Sequence, residues 1–171
     1  MQQFEEKKFD IPELKGISKK TIEEHLKLYS GYVKNANDLL AEGEYNRRFP
    51  FEFNGMRNHE IYFSHFEGGA QGDASVLDNF DLDKFKALAL TRGVGWAMLG
   101  YDKKTEQLIQ YWVDEQHLGQ LQGCTPILAL DMWEHSYVAD YQPSGKKQYV
   151  EDFFANLNWE NVEQNFSNAQ K

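Results

Sequence analysis

The chain has 171 residues, 41% apolar and 26% charged, the size and balance of one compact domain or of two small halves sharing a core, which excludes a disordered tail and a mini-scaffold. Its net charge of −9 argues against general nucleic-acid binding and against anchoring on an anionic membrane, and no long basic block offsets it. Cys124 is the single cysteine, so an intrachain disulfide and a thiolate metal cluster are out of reach; with no apolar leader in MQQFEEKKFDIPELKG and no apolar run of about 18 residues, the expectation is a cytoplasmic protein with neither a nucleic-acid nor a membrane partner.

Between Ile17 and Leu40 the larger or apolar residues Ile22, His25, Leu26, Tyr29, Tyr32, Val33, Ala36 and Leu40 form the stripe of an amphipathic helix, with Ser18 as its N-cap. Pro12 precedes it in an extended arm. Gly43 follows in the acidic turn AEGEYNRRFP, where Pro50 can open the next element, and a second helix is expected from about Phe53 to Phe66. The stretch GGAQGDASVLDNFD, with three glycines and several turn residues, reads as a connection between halves, with the boundary near Gly72 to Asn79. This divides the chain into an N-terminal helical hairpin, 1–72, and a C-terminal half, 73–171.

The second half begins with a short helix capped by Asp81. VGWAMLGYDKKTEQLIQYWVDEQ then places two aromatic-rich segments around a Lys-rich turn, a hairpin pattern. TPILALD, an apolar run ending in an acid, reads as a third, buried strand, and two short helices, roughly Lys146 to Asn156 and Glu160 to Phe166, close the chain. The expected fold is α+β, helices first and then a small three-stranded antiparallel sheet with further helices.

Five histidines are candidates for chemistry. His25 lies on the apolar face of the first helix and His59 follows Asn58 on the second; each alone reads as well as a satisfied core residue. Asp131 ends the third strand, and a buried carboxylate there must find a proton, a cation or a metal. His135 follows four residues later, close enough to converge with it, so the pair is either a buried Asp–His hydrogen bond or part of a metal site. Together, His25, His59, Asp131 and His135 make a three-histidine, one-carboxylate set that suits iron, manganese or zinc. Tyr32, Tyr62, Phe63, Trp96 and Trp133 crowd these segments, a shell that would keep water scarce and that points to redox work more than to hydrolysis.

DMWEHSYVADY resembles the D-x-W-E-H-A-Y signature of the iron/manganese superoxide dismutase family, and NLNWENVEQNF resembles its C-terminal NWE helix. The likeness runs through FDIPEL, HLKLYSGYVKNAN, FNGMRNHEIYF and LDNFDLDKFKALALTRGVGWAML, nearly the whole chain. It implies a helical hairpin packed on an α+β half with one iron or manganese ion per subunit between them, held by His25, His59, Asp131, His135 and a solvent molecule. The implied reaction converts superoxide to dioxygen and hydrogen peroxide in two steps. Protons for the second step would come from the metal-bound solvent, held by a hydrogen-bond chain through a side-chain amide outside the ligand set and a gateway tyrosine, Tyr32. Glu134 resembles the family's bridging acid, which reaches across a two-fold interface to a metal-ligand histidine of the partner subunit, so a homodimer is implied. Trp96, Trp133, Tyr62 and Phe63 match the aromatic shell, Phe63 standing where tryptophan is usual.

The chain also departs from the family pattern. His25 and His59 are only 34 positions apart, which shortens the hairpin. Tyr32 follows His25 by seven residues where the family usually has eight and a bulge; a straight helix would still keep the two on one face. Tyr29 replaces the gateway histidine, and Val138 its tyrosine partner across the dimer. Gly55 stands where many iron members place a glutamine; members with glycine there draw the group from the C-terminal half, where VDEQHLG offers Gln116 or His117, with His117 preferred. His65 carries no family role and is expected to be a surface or packing residue. Lys27, Lys34, Arg57 and Lys147 are candidates for steering an anion toward the site. Two other readings remain at this point, a non-catalytic metal-binding relative and a zinc-type hydrolase with Glu134 as base.

Overall fold

The computed structural model describes residues 2–171. Helix α1, Lys19–Glu42, starts where Ser18 Oγ accepts the Thr21 N–H and ends at Gly43, whose φ of 72° is the left-handed turn that closes a helix. Its buried face carries Ile22, His25, Tyr29, Val33 and Ala36, the stripe expected from the spacing, and the helix runs unbroken through 25–32. Helix α2, Arg48–Ser64, begins five residues earlier than expected, because Pro50 sits in the first turn, where a missing N–H costs no hydrogen bond, and Asn46 Oδ1 takes the Arg48 N–H. The two helices pack against each other as a hairpin.

After a linker with a single 3₁₀ turn at Ala74–Val76, helix α3, Leu82–Ala89, is capped by Asp81, whose side chain accepts from the Lys84 N–H. Strands β1, Gly95–Asp102, β2, Gln107–Asp114, and β3, Cys124–Asp131, form an antiparallel sheet in the order β2-β1-β3. The register pairs Trp96 with Asp131, so the central strand sets an indole beside the carboxylate that ends the edge strand. A 3₁₀ turn, Glu134–Ser136, and a short helix α4, Val138–Tyr141, follow; α4 was not expected from the sequence. Helices α5, Lys146–Asn156, and α6, Trp159–Gln170, close the chain, α6 capped by Asn158 and running four residues past Phe166.

The core is unusually aromatic: Tyr29, Tyr62, Phe63, Phe66, Trp96, Tyr149 and Phe153 have no exposed surface. His65 belongs to it and is not a surface residue. Its Nε2 accepts the Ala129 N–H at 3.1 Å on the outer edge of β3, and its carbonyl accepts the Asn158 N–H at 2.7 Å. One imidazole therefore closes an edge-strand donor that the sheet leaves open. Helix α2 packs on β3 and α1 on the 134–136 turn, so both helices converge on the end of β3. Among the described residues, no helix is long and apolar enough to cross a membrane.

Candidate metal centre

The four residues of the three-histidine, one-carboxylate set meet at that convergence. One ligand atom from each of His25, His59, Asp131 and His135 lies within 4.8 Å of the others. Asp131 Oδ2 is 3.1 Å from His25 Nε2, 3.1 Å from His135 Nε2 and 3.6 Å from His59 Nε2, while its Oδ1 accepts the Trp133 N–H at 2.8 Å. His25, His59 and Asp131 are wholly inside; only His135 keeps exposure, 24% of its side chain.

Electrostatics follows from that crowding. Burial alone would push the Asp131 carboxyl up, but the imidazoles of His135 and His25 beside it hold it well below the usual range. Burial lowers His25 against the pull of Asp131, and lowers His59 to about 3, with the neighbouring His25 acting in the same direction. His135, less enclosed, is raised because the carboxylate outweighs its burial. The centre is thus an ionised acid among imidazoles, most of them held neutral, which is the protonation state that metal ligands need.

His59 shows that the donors fit a cation. Its Nδ1–H donates to the Gly55 carbonyl at 2.6 Å, which fixes the tautomer and turns the Nε2 lone pair toward the other three donors. That Nε2 has no hydrogen-bond partner, an arrangement costly for a buried polar atom unless a cation completes it. Three imidazole nitrogens and one carboxylate oxygen suit iron or manganese in kind and number.

Aromatic rings wall the centre. Tyr62 and Phe63 lie 5.0 and 4.9 Å from the His25 ring, Trp96 is 5.0 Å from His59, and Trp133 stacks on His135 at 5.8 Å. Tyr32, half-buried, is 5.0 Å from the His59 ring on the solvent side. Burial pushes its phenol well above the usual range, with the charges of Asp131 and Glu52 adding to the effect. Gly55 makes room for it, since a Cβ there would come within 2.6 Å of Tyr32 Cδ1.

Gln116, not His117, reaches this group. Gln116 is fully buried, its Nε2–H donates to Tyr32 Oη at 3.0 Å, and its Oε1 accepts the Trp96 Nε1–H at 2.9 Å. The His117 ring stands instead beside Phe51, at 5.9 Å. The sequence reading also missed what holds Gln116: Asn58 Nδ2–H donates to its backbone carbonyl, and Gln120 Nε2–H donates to Asn58 Oδ1. Asn58 adjoins His59 in the sequence, and that adjacency is the one signal available.

Tyr29 does not line the approach to Tyr32. It is fully buried, and its hydroxyl takes the Lys7 N–H and donates to Glu60 Oε1. Leu28, also one turn before Tyr32 on α1, is 42% exposed. Glu134 is exposed beside His135. Of the four steering candidates, Lys27, Lys34 and Arg57 are each paired with a carboxylate, on Glu24, Asp38 and Glu60, which reduces their local field.

Residues 73–165 match the family described as iron/manganese superoxide dismutases, C-terminal domain. The chain is 31% identical over 170 aligned positions to the superoxide dismutase [Mn] of Mycolicibacterium fortuitum, covering 85% of this chain and 82% of that protein. It is 30% identical over 189 positions to the superoxide dismutase [Fe] of Aquifex aeolicus, with 92% and 88% covered, and 30% identical over 172 positions to the superoxide dismutase [Mn/Fe] of Aeropyrum pernix, with 85% and 80% covered.

Proposed function

The chain belongs to the iron/manganese superoxide dismutase family, and from that premise we infer that it disproportionates superoxide into dioxygen and hydrogen peroxide. The observation that carries this reading is the buried three-histidine, one-carboxylate cluster with its unpartnered His59 Nε2. His25, His59, Asp131 and His135 would hold one iron or manganese ion, which would supply one-electron redox chemistry toward superoxide.

The protein's own part is to hold donors, exclude water and deliver protons. Reduction of superoxide to peroxide consumes two protons, and Tyr32 Oη is the proton-bearing atom at the open side of the centre. Its raised pKa keeps the phenol protonated at neutral pH, and its partial exposure lets solvent restore the proton. Gln116 orients that hydroxyl by donating to it, and Trp96 fixes which end of the amide faces Tyr32 by occupying the oxygen. Asn58 holds the Gln116 backbone, tying proton delivery to the helix that carries His59. Trp96, Tyr62 and Phe63 form the dry wall behind the imidazoles.

The same reading assigns His25 and His59 to a helical half, 1–72, and Asp131 and His135 to an α+β half, 73–171, with the centre between them. It takes the chain as an antioxidant homodimer, supported by the exposed Glu134 beside the partly open His135, and as cytoplasmic, supported by its lone cysteine. Metal content and superoxide removal measured together on wild type and His59→Ala test it. Loss of both is expected; full occupancy and full activity in His59→Ala would overturn the ligand assignment.

A further inference from the structure

A line of tyrosines leads from the centre to the surface on the side away from Tyr32. The Tyr62 ring lies 5.0 Å from the His25 ring, and its hydroxyl is 3.1 Å from that of Tyr149. Tyr149 donates its own proton to the Asp131 carbonyl at 2.9 Å, so Tyr62 is the donor between the two. The Tyr149 ring is 5.8 Å from that of Tyr141, which is half-buried and donates to Asp152 Oδ2 at 3.1 Å. The Tyr141–Asp152 pair is built for: Gly16, at φ 77°, leaves the space, and a Cβ there would strike both the Tyr141 hydroxyl and the Asp152 carboxylate.

We propose that Tyr62, Tyr149 and Tyr141 form a hole-transfer relay that carries oxidising equivalents away from the metal ligands to Tyr141, making Tyr141 a peroxide-dependent oxidation site.

Tyrosine is oxidised readily only if its phenolic proton can leave with the electron. Neither Tyr62 nor Tyr149 has a base to receive that proton, since one faces a hydroxyl and the other a backbone carbonyl. Tyr141 faces a carboxylate, so a hole passing along the line is trapped there. The oxidant is hydrogen peroxide, the product of the dismutation. One peroxide breaks its O–O bond and takes up two electrons and two protons to give two waters; the Tyr141 of each of two chains supplies one electron and becomes a phenoxyl radical, its proton passing first to Asp152 and then to solvent. Lys15 Nζ, 3.5 Å from Asp152 Oδ1, connects that carboxylate to water. Without such an exit the oxidising equivalents stay beside His25, His59 and Trp96.

The relay rests on the dismutase reading, so the test measures dismutation on the same samples. Metal-loaded protein is exposed to hydrogen peroxide with a nitroso spin trap, radicals are followed by electron paramagnetic resonance, and adducts are located by peptide mass spectrometry. Wild type is expected to carry the adduct at Tyr141 in preference to Tyr45, which is more exposed, at 57%, but lies off the line. Tyr149→Phe and Tyr62→Phe, each keeping the ring, are both expected to lose the Tyr141 adduct, so either variant suffices if the other folds poorly. Tyr141→Phe is expected to leave dismutation unchanged and to shift oxidation to His25, His59 and Trp96, read as added oxygen mass on their peptides. An active wild type with no Tyr141 adduct, or adducts undiminished in both inner variants, overturns the relay alone; loaded protein without dismutation overturns the underlying reading and the relay with it.

Discussion

His65 gives the sharpest quantitative prediction because its environment involves neither metal nor charge. It is completely buried, its Nε2 is the acceptor for the Ala129 N–H, and burial alone holds its pKa down to about 3 against an ordinary value of 6.5. The unfolded chain binds a proton below 6.5 while the folded chain does not, so stability is fully present above that value and falls as the pH drops toward 3. Each pH unit in this window removes about 1.4 kcal/mol, so going from 6.5 to about 4 removes about 3 kcal/mol, a large share of a typical domain's stability. The assay is urea unfolding near neutral pH and near pH 4, on metal-loaded wild type and on His65→Gln, whose side-chain carbonyl can still accept the Ala129 N–H. Acid losses from the metal ligands are common to both proteins and cancel. Wild type should lose about 3 kcal/mol more than the variant; equal losses would refute the argument that a neutral, hydrogen-bonded His65 closes the edge of β3.

Three further outcomes follow from the geometry of the centre. Asp131→Ala removes the one oxygen shared by His25 and His135 and leaves the Trp133 N–H unpaired, so metal analysis should find the protein empty and denaturation should show a loss of about 1–3 kcal/mol even without metal. Tyr32→Phe should retain metal while slowing turnover at high superoxide concentration, read by pulse radiolysis; an unchanged rate would place proton delivery elsewhere. Gly55→Ala drives a Cβ into the Tyr32 ring, and is expected to cost about 1–3 kcal/mol in unfolding experiments and to lower activity, because Tyr32 must move off Gln116.

The features that were legible in the sequence are those fixed locally or by a contiguous motif. Ser18, Asp81 and the stripe along α1 mark helices by cap chemistry and spacing, and the aromatic-rich segments of β1 and β2 around a Lys-rich turn, with the apolar run of β3, mark the sheet. Asp131 and His135 converge because four residues of chain allow little else. What escaped depended on backbone turns and distant neighbours. Glu115, at φ 52°, turns the chain after β2 so that Gln116 and not His117 points inward, a reversal that no side-chain pattern announces. Counting from His25 puts Tyr29 on the right face of α1, but Lys7 in the N-terminal arm and Glu60 on α2 engage its hydroxyl, and no local pattern shows either partner. His65 lies at the end of α2, and only the arrival of β3, more than sixty residues later, buries it.

The most direct test of the central claim is superoxide dismutation by parallel samples loaded with iron, manganese or zinc, with bound metal counted in each. The account predicts about one ion per chain in each loaded sample and activity with iron, manganese or both but none with zinc, because the reaction needs an ion that changes oxidation state. Full iron and manganese occupancy with no dismutation in either sample would contradict it.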